Sequence, residues 1–153
     1  MDDNRSTDGM RMRRRVLGDE HVDRAIAGTT PFSAPFQQHI TEVAWGSVWT
    51  RDQLDHRTRS CLTLALLAAL GHEEELAMHV RTAIRLGLTA EEIGEVLLHT
   101  SVYAGIPAAN SAMRVAQHTL ADLGVEEALP QPMHDTDTGP RPPAAPSDNE
   151  VTP

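Results

Sequence analysis

The sequence predicts an all-α fold, a bundle of about five to six helices, on three observations. Apolar residues recur at helical spacing, as Phe36, Ile40, Val43 and Val48 do within Phe32 to Trp49. No stretch alternates convincingly with period two. Helix start and stop signals follow one another in the right order along the chain.

Each element has its own reason. Pro31 and Pro35 bound the start of the Phe32–Trp49 helix. Asp55 is placed to cap a second helix that ends at Gly71. A third runs from His72 to Arg85 and stops at Gly87. Thr89 and Glu92 form a capping box for a fourth, which carries Ile93, Val96, Leu97 and Val102 and ends near Gly105 and Pro107. A fifth covers Ala108 to Leu123 and ends at Gly124.

The ends read differently. Seven of the ten prolines fall in Val125–Pro153, which carries a net charge of −5 and few apolar residues. Such a segment cannot bury enough surface to offset its ordering entropy, so a disordered tail is expected over 125–153 and a helical domain over 10–124. Met1 to about Gly9 is expected to be loose, and the run Arg11, Arg13, Arg14 and Arg15 to be a solvated helix face.

Charge and composition remove several function classes. The 153 residues carry 13 basic and 22 acidic side chains, a net charge of −9, which argues against a nucleic-acid partner. All 13 basic residues are arginine, so no lysine Schiff base can form. Cys61 is the one cysteine, which excludes an internal disulfide framework and a cysteine-based zinc cluster. Ser60–Gly71, the longest uncharged apolar-rich stretch, is too short to span a bilayer. No secretion signal or phosphate-binding glycine loop is evident, and a cytoplasmic protein with no membrane partner is expected.

Polar residues sit at helical spacing among the apolar ones. Glu42, Trp45 and Trp49 are spaced i, i+3, i+7 and would share an α-helical face. Arg57 and Arg59 open the second helix. Glu75 and His79 are i, i+4 neighbours, and Glu95, His99 and Tyr103 form a second stripe. The plain alternatives are tryptophan core packing, a surface Glu75–His79 pair and a core His99. A metal site of Glu75, His79 and His99 lacks a recognised spacing, and none is expected.

The segments Thr29–Phe32 (TTPF), Ile40–Gly46 (ITEVAWG), Arg57–Ser60 (RTRS), Leu64–Gly71 (LALLAALG), Glu74–Arg81 (EELAMHVR), Gly87–Ile93 (GLTAEEI) and His99–Asn110 (HTSVYAGIPAAN) resemble the carboxymuconolactone decarboxylase family. The likeness covers about Arg13 to Leu123. It implies an alkylhydroperoxidase-like helical fold, a homo-oligomer such as a hexamer built from dimers, and a cofactor-independent carboxy-lyase. The implied substrate is the lactone dicarboxylate 4-carboxymuconolactone, converted to the β-ketoadipate enol-lactone and CO2 in protocatechuate degradation. Redox relatives in the same superfamily carry a Cys-x-x-Cys-x-x-x-His run. Aligned on His79, those cysteines fall at His72 and Glu75, and the redox glutamate at Ser60. Without two thiols there is no dithiol cycle, which favours the lyase over a redox protein using Cys61 alone, or over a non-catalytic oligomer.

The lyase chemistry needs a group to hold the carboxylate that stays, donors for the developing enolate oxygen, and a proton donor. The resemblance suggests Arg57 and Arg59, with Arg81 a weaker candidate, for the first. His99 and Tyr103 are the candidate donors and His79 the proton donor. Glu42 would orient a histidine or repel the leaving carboxylate, and Trp45 and Trp49 would form an apolar wall. Glu75, one turn before His79, is expected to fix its tautomer and raise its pKa.

Overall fold

The structure, a computed structural model, describes residues 3–125. Seven α-helices and one π-helical segment follow in order: α1 (Asp3–Leu17), α2 (Asp19–Ala27), α3 (Ala34–Ile40), the π segment (Thr41–Val48), α4 (His56–Leu70), α5 (Glu73–Arg85), α6 (Ala90–Ala104) and α7 (Ile106–Asp122). Among the described residues there is no strand, so the all-α expectation holds. The expected tail lies outside the described residues except for Val125. That residue packs on the core, and its amide donates to the Leu120 carbonyl at 3.0 Å.

Helices α4 to α7 enclose the main core, built from Leu64, Leu76, Val80, Ile93, Leu97 and Leu120 with small Ala112 and Ala116 between them. Each fully buried large side chain contributes about 1.5–3 kcal/mol. The ends of these helices follow the sequence signals. The Asp55 carboxylate accepts from the Thr58 amide at 2.7 Å, and Gly71 closes α4 at φ 73°. The Thr89 hydroxyl accepts from the Glu92 amide at 3.1 Å while Glu92 accepts from the Thr89 amide at 2.9 Å.

The N-terminal half corrects three expectations. Residues 3–9 are not loose: α1 begins at Asp3 and packs along the π segment. Glycines allow that approach. A Cβ on Gly9 would stand 2.2 Å from the Thr41 carbonyl oxygen, and one on Gly46 would stand 2.4 Å from that of Arg5. The arginine run is not uniformly solvated either. Arg11 and Arg15 are exposed and Arg14 pairs with Asp19 and Asp23, but Arg13 is 5% exposed.

Third, Phe32–Trp49 is not one α-helix. Helix α3 changes to i→i+5 bonding at Thr41, and the Trp49 amide donates to the Ala44 carbonyl at 3.0 Å. The wider winding advances each residue by less than an α-helix does. Trp45 and Trp49 therefore stay on one face while Glu42 rotates away from it. The buried side chains are Thr41, Trp45 and Trp49, while Phe36, Val43 and Val48 are exposed.

A second apolar surface remains uncovered in the protomer. Leu62, Leu66 and Leu70 on α4 and Leu98 and Val102 on α6 are all at least half exposed, as is Ile106 at the start of α7.

Candidate active site

Helix α5 carries His79 beneath the N-terminal helices. Leu86, two turns further along the same face, packs on the cluster of Val16, Trp45 and Trp49. His79 Nδ1 is screened from solvent and has no hydrogen-bond partner. Burial lowers the imidazole pKa to about 4, His21 on α2 pushes it the same way, and Glu75 opposes both weakly. Glu75 acts in the expected direction, raising this pKa, but the net shift is downward. Glu75 is exposed, and desolvation outweighs its charge. In the free protein His79 is neutral near pH 7.

Three features surround it. His21 is itself held below its ordinary pKa by burial, by Arg24 and by Arg13. Arg13 donates from Nη1 to Thr41 Oγ1 at 3.3 Å and from Nη2 to Gln37 Oε1 at 3.1 Å, both neutral acceptors. A cavity of about 390 Å3 opens between the α1–α2 corner and α5, lined by His21, Met78, Arg81, Thr82 and Arg85 among others. Neither Arg81 nor Arg85 forms an ion pair among the described residues. Gly18 forms the corner at φ 90°, with the Arg85 guanidinium carbon 3.2 Å from where a Cβ would stand. The acidic lining residues Asp19 and Glu20 are already held by Arg14 and Arg24. The cavity is therefore cationic within an acidic chain.

The other predicted residues lie in different places. Trp45 and Trp49 stack at 5.2 Å between ring centroids, and Trp49 lies 6.1 Å from His56. They wall an interior cluster with Val16. Glu42 is half-buried and accepts from Gln38 Nε2 at 3.0 Å. Arg57 is engaged structurally: its Nη2 meets Glu92 Oε1 at 2.6 Å and its Nη1 donates to the Gly87 carbonyl, tying α4 to the α6 cap. Arg59 donates to the Arg51 carbonyl at 3.1 Å and leaves a buried Nε without a partner. His99 and Tyr103 are exposed, 5.0 Å apart between ring centroids. His99 lines a separate cleft with Cys61, Leu62 and Glu95, where burial raises the Cys61 pKa. Among the described residues no three potential ligands are gathered to hold a metal ion.

Residues 34–118 match the Carboxymuconolactone decarboxylase family. The chain belongs to this family. The 4-carboxymuconolactone decarboxylase of Acinetobacter baylyi is 44% identical over 124 residues, 81% of this chain and 92% of that one. The nitrosuccinic acid decarboxylase npaB of Metarhizium robertsii is 46% identical over 116 residues, 76% of this chain and 81% of that one. The family expected from the motifs is thus the family found.

Membership makes the missed residues informative. His21 and Arg13 lie before the matched segment, and neither belongs to a motif. One signal for Arg13 existed. Gly9, Arg13 and Val16 are spaced i, i+4, i+7, and all three are buried. The neighbouring arginines masked it.

Proposed function

We propose that this family member is a carboxy-lyase that converts 4-carboxymuconolactone to the enol-lactone and CO2. The observation that carries the reading is His79: a desolvated imidazole without a hydrogen-bond partner, beside a cationic cavity, in a chain whose relatives are named decarboxylases. In this lactone the leaving carboxylate sits on the ring carbon vinylogous to the carbonyl. Its C–C bond breaks, the electron pair moves through the C=C bond to the carbonyl oxygen, and CO2 departs. The dienolate then takes a proton on the ring carbon next to the carbonyl.

A neutral His79 is a poor acid, but the substrate is a dianion. Its carboxylates offset the desolvation and the repulsion from His21 that hold the imidazole pKa down, so binding draws a proton onto His79. That proton is delivered to the dienolate. Arg59, with its free buried Nε, stabilises the anionic substrate. Trp45 and Trp49 keep the neighbouring interior dry, and Glu42 borders it on the π segment.

We read His99 and Tyr103, both exposed, as joining such a site from a neighbouring protomer. The uncovered leucines of α4 and α6 support a homo-oligomer, for which a hexamer is our reading, because a patch of that kind is costly to leave in water. Our reading of the substrate is a step of protocatechuate breakdown carried out in the cytoplasm.

Decarboxylation of nitrosuccinic acid is the second reading, favoured by the 46% identity to npaB. Both compounds are dicarboxylic acids with an electron acceptor built in, a vinylogous carbonyl in one and a nitro group in the other. The test supplies each to the purified protein, the lactone being generated in place, and follows CO2 and product. Turnover of nitrosuccinic acid with none of the lactone would replace the first reading by the second. Turnover of neither would end both.

A further inference from the structure

Arg13 is a buried cation to which the described residues give no anion. It is 5% exposed, its two bonds go to a hydroxyl and an amide oxygen, and Nε has no partner. No carboxylate among the described residues lies within ion-pair distance of it. Such a charge is costly unless something compensates it. Its position is also rigid, because the Gly9 and Gly46 backbone contacts lock α1 onto the π segment, where Thr41 lies. Arg13 acts electrostatically on His21, and His21 on His79. The guanidinium and the two imidazoles are thus linked electrostatically across α1, α2 and α5, and His21 is the one of the three that lines the neighbouring cavity. Leu17, one turn after Arg13, lines the 390 Å3 cavity with His21.

We propose that Arg13 binds the carboxylate that the substrate retains, and that α1, outside the segment matched to the family, thereby sets the preference for dicarboxylic acids. The proposal rests on the decarboxylase reading. A planar guanidinium already held by Thr41 and Gln37 is oriented for bidentate pairing, and an entering carboxylate supplies the missing counter-charge.

The test compares the full-length protein with Arg13→Met and Arg13→Lys. Succinate is the unreactive dicarboxylate probe and butyrate its monocarboxylate control. Succinate is expected to raise the melting temperature of the wild type by several degrees, and butyrate not to. Arg13→Met should lose the succinate shift while its ligand-free melting temperature stays level or rises, since an apolar side chain of similar length replaces a buried charge. On the lactone, KM should rise about 10²-fold with kcat within a few-fold, and Arg13→Lys should fall between. A wild type insensitive to succinate, or an Arg13→Met protein that keeps both the shift and the normal KM, would overturn the proposal. A fall in ligand-free melting temperature with normal KM would make Arg13 structural and overturn it equally. If the wild type turns over no lactone the lactone reading falls, and the succinate comparison still decides Arg13.

Discussion

The α4–α7 core and the α1–π junction are both helix packings, yet they are held together in opposite ways. The core interleaves leucines, valines and alanines, and each of its cap bonds is supplied by a neighbour in sequence. The junction rests on two glycines, a pair of stacked tryptophans and a buried arginine. The core spreads its stabilisation over many leucine, valine and alanine contacts. The junction rests on a few close contacts, and two of its buried nitrogens, Arg13 Nε and His79 Nδ1, lack partners. A site that must receive a charged ligand is built in the second manner, since unsatisfied groups are what a ligand satisfies.

Substitutions test this contrast. The largest effect belongs to His79. His79→Ala should cut turnover by roughly 10²–10⁴ with little change in melting temperature, and His79→Gln nearly as much, because an amide cannot deliver the proton. Normal turnover in His79→Gln would leave the junction without its acid.

The two regions should then respond differently to one added methyl group. Gly9→Ala pushes a Cβ into the Thr41 carbonyl and should destabilise by about 1–3 kcal/mol. Gly94→Ala on α6, where a Cβ meets nothing within 4 Å, should stabilise by about 0.5–1 kcal/mol. Denaturant midpoints that moved equally for both would erase the distinction.

Acidity offers a third lever. Folded His79 takes its proton only near pH 4, whereas the unfolded chain takes it near 6.5. Between those values the unfolded state binds more protons, so stability falls as pH drops through that window, by about 3 kcal/mol at most. His79→Gln should flatten that part of the profile, read from chemical unfolding at a series of pH values. Thr89→Ala, which removes the capping box from α6, should cost about 1 kcal/mol in the same measurement. Cys61→Ala and added chelator should leave turnover unchanged, since the substrate carries its own electron acceptor.

The core was largely readable in advance because its signals are local. Asp55, Gly71, Thr89 and Glu92 act on backbone groups a few residues away, and period 3.6 marks the buried face of α6. The junction was harder to read. The Phe36–Val48 stripe looked like a core face, but a change of winding turned Thr41, Trp45 and Trp49 inward instead. Arg13 sat among arginines that are exposed or paired, and its burial depends on a glycine contact with a segment 32 residues later at Thr41. Glu75 stands one helical turn before His79, yet its field is outweighed by a burial that α5 alone does not create.

Local sequence sets the helical class, the caps and the family, and it excludes the chemistry that lysine and paired cysteines would supply. Those depend on composition and on interactions within a turn or two of helix. Packing sets the lowered pKa of His79, the burial of Arg13 and the exposure of His99 and Tyr103. Desolvation and long-range electrostatics depend on which elements cover a residue, and that is a property of the packed helices rather than of any stretch of chain.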